Sequence, residues 1–267
     1  MIRPPAVAGA FYPAAPNELL AMLRSLTPLS RSKQKAIALI CPHAGYVYSG
    51  RVAGESYARA ALPDRFIILC PNHRGLGSPL AVMSEGKWRT PLGDVPIDSD
   101  LAARLRRTSS LFEEDAGAHS QEHSLEVHLP FLQYLKEDFR FVPVSVGSLP
   151  LGELQQVGSA IARVIVESGE DVMIISSTDM THYEPANAAR EKDEKAISAI
   201  LRLDAAGLYE TVQKNRISMC GVAPTTVALA AARELGGTRA ELVLYSTSGD
   251  VTGDYGSVVG YAGFLVY

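Results

Sequence analysis

Short apolar runs alternate with amphipathic segments along almost the whole chain, and this alternation restricts the possible folds more than any other feature. The runs are rich in apolar or β-branched residues, as strands buried in a central sheet are. They cover residues 36–41, 66–70, 139–146, 172–176 and 242–246, with a further strand expected at 257–267. The amphipathic segments have helical spacing and cover residues 17–26, 51–62, 99–108, 151–167, 188–203 and 225–235. The pattern predicts an α/β chain folded as a three-layer α/β/α sandwich.

Two of the apolar runs end in nearly the same sequence, ALICPHAG at 38–45 and IILCPNHRG at 67–75. Each run places a histidine, His43 or His73, shortly after a strand. Open α/β sheets bind ligands outside the carboxyl ends of their strands, so both imidazoles should face one pocket if the strands are close. A lone histidine in such a place is more often a hydrogen-bonded loop residue. The repeated context with proline and glycine favours metal ligation instead.

Size and charge restrict the class of protein. The chain has 267 residues, of which 47% are hydrophobic and 20% charged, and its formal net charge is -4. A chain of this length can bury a full core, and it shows no linker, so we expect a single domain over residues 1–267. The acidic balance argues against a nucleic-acid surface, which would need a basic face. Local basic residues would still allow a small anionic substrate.

The beginning of the chain, MIRPPAVAGAFYPAAP, has prolines where a signal peptide needs an unbroken apolar segment. No later stretch offers the ~20 apolar residues of a membrane span. We therefore expect a soluble, cytoplasmic protein with no membrane partner. The cysteines Cys41, Cys70 and Cys220 have no CxxC spacing, which indicates free thiols.

A dense histidine cluster, HSQEHSLEVHLP, occupies residues 119–130. His119, Glu122 and His123 spell H-x-x-E-H, the inverted zincin pattern, which would indicate a metallopeptidase if it lay on a helix. Gly117 and Pro130 flank the pattern and argue against a long helix there. A surface or helix-start cluster is the simpler interpretation. In a third interpretation, His123 points into the pocket of His43 and His73 without being a ligand.

Two further segments carry candidate catalytic groups. IISSTDMTHYE runs from a strand into Asp179 and His182, which could form an acid/base pair or contact a ligand on the metal. The same residues also resemble a helix start. Cys220 stands shortly before a helix expected to begin near Pro224, and the free amides of a helix start would lower the pKa of its thiol. We therefore expect a functional thiolate at Cys220 and structural roles for Cys41 and Cys70.

Together, several segments carry a family resemblance in order along the chain: RPPAVAGAFYP, PHAGYVYSG, PNH, EHSLEVHLPFL, SSTDMTHY, MCG and TSGDVTGDYGSVVGYA. The sequence resembles the MEMO-like family, also called AmmeMemoRadiSam system protein B, almost from end to end. The resemblance implies a fold similar to class III extradiol dioxygenases, with a central mixed sheet and a non-haem metal at the strand ends. It also implies functional association with AMMECR-type and radical-SAM proteins as partners.

The resemblance also implies roles for individual residues. His43 and His73 would be two metal ligands and Cys220 a third, thiolate ligand. True dioxygenases have a carboxylate in that third place, so dioxygenase activity does not follow from the fold. His123, Asp179 and His182 would line the pocket, with His182 placed like an acid/base histidine. A phenol from Tyr48 or, equally, from Tyr46 would point toward the same cavity.

Three functions are compatible with these residues. The leading one is a redox protein that binds Fe(II) or copper through His43, His73 and Cys220, with His182 moving a proton and His123 stabilising an oxyanion. The second is a binding or adaptor module that holds a peptide or partner in the same cleft without turnover. The third is a zinc hydrolase whose bound water is activated by Asp179 or His182. The sequence does not identify the small-molecule substrate.

Overall fold

The computed structural model describes residues 1–28 and 32–267. Within these ranges, nine strands form one mixed sheet and three more form a small sheet. Helices cover both faces of the large sheet, over two separate apolar cores. The expected three-layer α/β/α sandwich with a central mixed sheet is confirmed.

Strands and helices alternate along most of the described chain. The strands are β1 (Ile2–Arg3), β2 (Ala38–Cys41), β3 (Arg65–Pro71), β4 (Leu80–Val82), β5 (Lys87–Thr90), β6 (Gly93–Pro96), β7 (Glu113–Glu114), β8 (Arg140–Val146), β9 (Val172–Ser177), β10 (His182–Glu184), β11 (Ala240–Thr247) and β12 (Val258–Val266). The α-helices are α1 (Pro16–Leu26), α2 (Tyr46–Arg59), α3 (Ser99–Thr108), α4 (Leu129–Leu135), α5 (Leu151–Ser168), α6 (Ala186–Leu201), α7 (Ala205–Asn215), α8 (Val222–Glu234) and α9 (Gly249–Thr252). Two short 3₁₀ helices lie at Gly117–His119 and Glu126–His128.

The centre of the large sheet is parallel. Strand β9 lies between β2 and β3, and β8 follows on the far side of β3, all in the same direction. Antiparallel strands flank this centre, with β12 beside β2 and β4 beside β8. Because β2, β9 and β3 are parallel neighbours, their carboxyl ends meet at one edge of the sheet.

Alternation along the central strands explains the two cores. In β2, Ala38 and Ile40 face the core beneath α3, α5, α6, α7 and α8, whereas Leu39 and Cys41 face the core beneath α1, α2 and α4. Side chains on a strand point alternately to opposite faces, so a strand with helices on both sides must be apolar at every position. This is why the strands appear in the sequence as unbroken apolar runs.

Local signals fix several helix ends. The carboxylate of Asp98 accepts a hydrogen bond from the Leu101 N–H and caps α3, whose bounds agree with the predicted segment. Gly169, with φ 66°, ends α5 in the left-handed conformation that glycine adopts readily.

Other boundaries differ from the prediction. The helix expected over 188–203 covers Ala186–Leu201, and helix α7, which follows it, was not predicted. Leu203 is left-handed at φ 53° and separates the two helices, and Asp204 caps α7. Helix α2 begins at Tyr46, five residues early, since Gly45 offers no capping side chain that would have marked the start. The small sheet β1–β5–β6 was missed altogether.

Across the helices of the described residues, none has the length and apolar character that crossing a bilayer requires.

Candidate metal centre

Three histidines from different parts of the chain converge at the carboxyl ends of the central strands. His43 follows β2, His73 follows β3, and His123 lies between the two 3₁₀ helices. Each offers a ring nitrogen within 4.8 Å of those of the other two. The ring centroids of His43 and His73 are 5.1 Å apart, and His73 stacks on His123 at 4.9 Å. We call His43, His73 and His123 the histidine cluster.

Glu122 orients two members of the cluster. Its Oε1 atom is 2.9 Å from the His73 Nδ1 atom and 3.6 Å from the His123 Nδ1 atom, while its Oε2 atom accepts the His73 backbone N–H. Ser124 also donates to Oε1 through its hydroxyl group. A carboxylate on the Nδ1 side of a histidine is the usual support of a metal ligand, because it leaves Nε2 free to bind.

His43 is held from two sides. Its backbone N–H donates to Asp179 Oδ1 at 2.8 Å, and its Nδ1 atom lies 2.7 Å from the Ser177 hydroxyl oxygen. Ser177 is the last residue of β9, the strand between β2 and β3. The side chain is only 2% exposed, so its orientation is fixed by these contacts.

Burial decides the charge of the cluster. It lowers the pKa of His43 well below its usual range, aided by the neighbouring imidazoles, and lowers the pKa of His123 to about 4. Burial acts against ionisation of Glu122, but hydrogen bonds from His73 and Ser124 outweigh it and lower the pKa of this carboxyl to about 2. At neutral pH the cluster therefore offers neutral His43 and His123 imidazoles above an ionised carboxylate, which is the protonation state that metal ligands need.

Cys220 lies next to His43 but is not one of the three residues of the histidine cluster. Its Sγ atom is 3.3 Å from His43 Nε2 and accepts the Asp179 backbone N–H at 3.2 Å. The group of three residues whose ligand atoms all lie within 4.8 Å of one another thus has His123 as its third member, where the expected set had Cys220. The predicted lowering of the thiol pKa is wrong: burial and the Asp179 carboxylate raise it. Helix α8 begins at Val222, and desolvation outweighs the effect of its free amides.

Asp179 and His182 have separate partners. Asp179 is buried against His43, and burial raises the pKa of its carboxyl to about 6. The His182 Nδ1 atom lies 2.9 Å from the Ser218 carbonyl oxygen. A carbonyl can only accept, so the Nδ1 atom of His182 carries a hydrogen, and the lone pair of the neutral imidazole is on Nε2. Among the described residues, Asp179 and His182 share no hydrogen bond with each other; the acid/base role and the contact with a ligand on the metal that the sequence suggested for them stay predictions.

The two tyrosines that the sequence left open differ in environment. Tyr46 is buried, and its hydroxyl donates to the Val127 carbonyl at 2.6 Å. Tyr48 is 42% exposed on the first turn of α2, shortly after His43. Tyr48 is therefore the one free to contact a bound molecule.

The zincin interpretation is wrong. His119 ends one 3₁₀ helix and Glu122 and His123 follow it in a non-helical stretch, so the two histidines do not share a helix face. His119 is fully buried against Trp88, with ring centroids 5.7 Å apart. The segment is not a surface cluster either, because Glu122 is also completely buried.

A buried ion pair anchors the segment that carries Glu122 and His123, and sequence reasoning missed it. Glu126 pairs with Arg3, accepts the Ala6 N–H and binds the Tyr12 hydroxyl. Arg3 also donates to the Glu122 carbonyl at 2.7 Å. The available signal was a lone arginine in RPPAV near an otherwise apolar start, together with a second glutamate in the histidine-rich segment.

Comparison with known sequences gives one consistent family. A family model described as Memo-like protein matches residues 3–265. A MEMO1 family protein of Methanopyrus kandleri is 46% identical over 279 residues, covering 99% of both chains. A MEMO1 family protein of Methanosarcina barkeri is 45% identical over 267 residues, covering 99% of this chain and all of the other.

Comparison with solved structures finds similarity at a much lower sequence identity. An uncharacterized protein from Escherichia coli K12 superposes with a TM-score of 0.60 at 15% identity, over 86% of this chain and all of that chain. At this identity the likeness concerns the fold alone. It supports the α/β/α architecture. The chemistry at the strand ends has to be argued from the individual residues there.

Proposed function

The chain belongs to the Memo-like family, and from this membership together with the histidine cluster we propose that it binds one iron or copper ion for oxidation–reduction chemistry on a small molecule. One observation carries the proposal. Three imidazoles from separate connections converge within 4.8 Å, and carboxylate or hydroxyl oxygens support them from behind.

The donor chemistry fits a transition metal. Imidazole nitrogens with a thiol beside them suit iron, copper and zinc, whereas magnesium and calcium prefer oxygen ligands. His43, His73 and His123 would hold the ion, and Cys220, with Sγ 3.3 Å from His43 Nε2, is the candidate for a further ligand as a thiolate. When bound, iron or copper would supply a Lewis acid that can also change oxidation state.

Two groups beside the cluster can handle protons. Asp179 has a pKa raised to about 6, so near neutral pH it can both hold and release a proton. Its Oδ2 atom lies 3.9 Å from His43 Nε2, at the edge of the cluster. His182, with its proton on Nδ1, can accept a second proton at Nε2. We assign Asp179 and His182 the role of moving protons to and from a bound molecule.

The first test is metal content. We would purify the protein without a metal-affinity tag under anaerobic conditions, beside His43→Ala, His123→Ala and Cys220→Ala variants. One equivalent of iron or copper that is lost in His43→Ala would support the proposal and justify oxygen-uptake assays. Absence of metal from the wild type, even after anaerobic reconstitution, would overturn it.

The variants also separate the two possible ligand sets. Loss of metal from His123→Ala with retention by Cys220→Ala supports the histidine cluster, and the reverse supports the set His43, His73 and Cys220. His119→Ala is the matched control, because this histidine is buried outside the cluster. A stoichiometric content of zinc, with ester or amide hydrolysis lost in His182→Ala, would instead indicate a hydrolase.

A second candidate function is a binding module without turnover. Exposed aromatic side chains close to site residues in the sequence favour it: Tyr183, 78% exposed, follows His182 directly, and Tyr48, 42% exposed, lies five residues after His43. A peptide or protein partner that still binds after loss of both His43 and Cys220 would support this function. A partner whose binding depends on the metal ligands would count against it.

A further inference from the structure

A chain of buried polar side chains runs behind His43, and the proposed function gives it no role. Ser177, His128 and Tyr57 have no exposed surface, yet all three are polar. They come from β9, from the second 3₁₀ helix and from α2. Buried polar groups of this kind need partners, and here the partners define which atom carries each hydrogen.

Ser177 determines the direction of every bond in the chain. Its Oγ atom lies 2.6 Å from the Ser124 carbonyl oxygen. A carbonyl oxygen can only accept, so the single hydroxyl hydrogen of Ser177 must point to Ser124. Toward all other neighbours the Ser177 oxygen can therefore act only as an acceptor.

Both imidazoles that contact Ser177 must consequently donate. The His43 Nδ1 atom is 2.7 Å from the Ser177 oxygen, and the His128 Nε2 atom is 2.9 Å from it. Each of these nitrogens carries a hydrogen. The remaining nitrogen of His128, Nδ1, then accepts from the Tyr57 hydroxyl at 3.0 Å.

The consequence for His43 is a defined tautomer. With its hydrogen on Nδ1, neutral His43 has its lone pair on Nε2. That nitrogen lies on the side of Cys220, 3.3 Å from the sulfur, and 3.9 Å from Asp179 Oδ2. The hydrogen-bond chain thus aims the Nε2 lone pair into the site, toward Cys220.

We propose that Ser177, oriented by His128 and Tyr57, is a positioning residue that holds His43 as the Nδ1–H tautomer with Nε2 available to a metal. The chain is not a proton path, because the Ser177 hydrogen is committed to the Ser124 carbonyl. The tautomer follows from hydrogen-bond geometry alone. Only its use in metal binding rests on the proposed function.

The test reads the tautomer directly. Long-range ¹H–¹⁵N correlation spectra of the metal-free, full-length protein distinguish the two ring nitrogens of His43, whose signals are identified by their loss in His43→Ala. We expect Nδ1–H in the wild type. In Ser177→Ala the acceptor is gone, and the hydrogen should move wholly or partly to Nε2.

Ser176→Ala is the matched control. This buried neighbour lies on the same strand, points to the opposite face and contacts Thr225, so its loss should leave His43 unchanged. Tyr57→Phe shortens the chain at its far end and should produce a smaller shift in the same direction, which keeps the proposal testable if Ser177→Ala does not fold. An Nε2–H tautomer in the wild type, or no change in Ser177→Ala, would overturn the proposal.

Zinc affinity provides the second measurement. Loss of a group that supports a ligand should weaken the Kd for Zn²⁺ by about 10–100-fold in Ser177→Ala and leave it unchanged in Ser176→Ala. If the wild type shows the expected tautomer and binds no zinc, iron or copper, the positioning role of Ser177 stands and the proposed metal function fails. If zinc binds with equal affinity to wild type and Ser177→Ala, the metal site stands and the positioning role fails.

Discussion

At the scale of single residues, Glu122 has the widest influence on the cluster. One carboxylate contacts His73 through both of its oxygens and lies 3.6 Å from His123 Nδ1. Glu122→Gln keeps the shape of the side chain but replaces one carboxylate oxygen by an NH₂ group. This donor then faces a hydrogen-bond donor of His73 or Ser124. We expect the affinity for Zn²⁺ or Fe(II) to fall by about 10–100-fold, measured by competition with a chelator.

The control for this substitution is Glu210→Gln, an exposed glutamate on α7. It makes the same change of charge without touching the cluster, so its metal affinity should equal that of the wild type. Equal affinities in Glu122→Gln and Glu210→Gln would mean that Glu122 does not support the ligands.

Cys220 should behave as a poorly reactive thiol in metal-free protein. Burial and the Asp179 carboxylate raise its pKa, so little thiolate exists at pH 7. We expect slow alkylation by iodoacetamide at pH 7, and a faster reaction in Asp179→Asn, where the repelling charge is gone. Peptide mass spectrometry identifies the modified cysteine, and rapid labelling of wild-type Cys220 at pH 7 would contradict the raised pKa.

The site was partly predictable at this scale. His43 and His73 were recognisable because each follows an apolar run, and the topology of parallel strands then brings their positions together. Ser177 and Glu122 were not recognisable as supports, since their partners are distant in sequence and a serine or glutamate has no ligand signature. The pKa of the Cys220 thiol was predicted wrongly, because its position before a helix is visible in the sequence while its desolvation is not; its role as a metal ligand stays a prediction.

At the scale of elements, the ion pair of Arg3 and Glu126 connects the start of the chain to the segment that carries His123. Both side chains are buried. Arg3→Ala leaves an ionised glutamate without its partner, and we expect it to lower the free energy of unfolding by about 3–5 kcal/mol in urea denaturation.

Arg239→Ala is a suitable comparison, because Arg239 lies over the Tyr267 ring at the surface, 4.5 Å from its centroid. Loss of this exposed cation–π contact should cost about 1 kcal/mol or less. Similar costs for the two variants would show that the Arg3 pair is not the anchor that its burial indicates.

Asp98 combines two roles at the start of α3. It caps the helix and pairs with Arg65. Burial opposes ionisation, but the hydrogen bonds from Arg65 and from the Leu101 N–H outweigh it and lower the pKa of Asp98. Asn can still cap, so Asp98→Ala should be less stable than Asp98→Asn by about 1 kcal/mol at pH 7.

The lowered pKa of Asp98 also makes the contribution of this residue to stability depend on pH. A depressed carboxyl pKa contributes stability above its unfolded pKa of about 3.9, and this contribution is lost as the pH falls through the folded-state value. At pH 7 the Asp98→Asn variant should therefore have a lower free energy of unfolding than the wild type, measured in urea. This deficit should shrink below about pH 4. A deficit that stays constant from pH 7 to pH 3 would contradict the charge contribution.

Element type was more predictable than element boundaries. The long amphipathic segments and buried strands were found because their periodicity extends over several turns or over a whole run. The strands of the small sheet were missed, since β1, β5 and β6 are short and gain their structure from pairing with each other. Helix α7 was missed, and its separation from α6 depends on the left-handed Leu203, which no propensity marks.

At the scale of the whole molecule, the single tryptophan reports on the small sheet. Trp88 lies in β5, and its ring packs on Phe141 of the large sheet at 5.6 Å. If the predicted single domain is right, both sheets unfold together. Urea transitions followed by Trp88 fluorescence and by far-UV circular dichroism should then coincide. Separate midpoints would indicate two units.

The three-layer architecture could be predicted from the alternation of apolar runs and amphipathic segments, but the order of strands in the sheet could not. That β9 inserts between β2 and β3 is a matter of long-range pairing, and unbroken apolar runs carry no information on their neighbours. This order nevertheless decides the site, because it places Ser177 between the strands that end before His43 and His73.

The three histidines of the cluster lie in three separate segments that connect strands and helices. No short stretch of the chain therefore forms a metal site by itself. A nascent or unfolded chain therefore presents only scattered imidazoles, which compete poorly for a scarce ion. For the proposed metal, loading must come after the parallel strands have paired. Maturation in a cell would then depend on what metal is available once folding is complete, and a wrong ion would enter a finished protein without disturbing its folding.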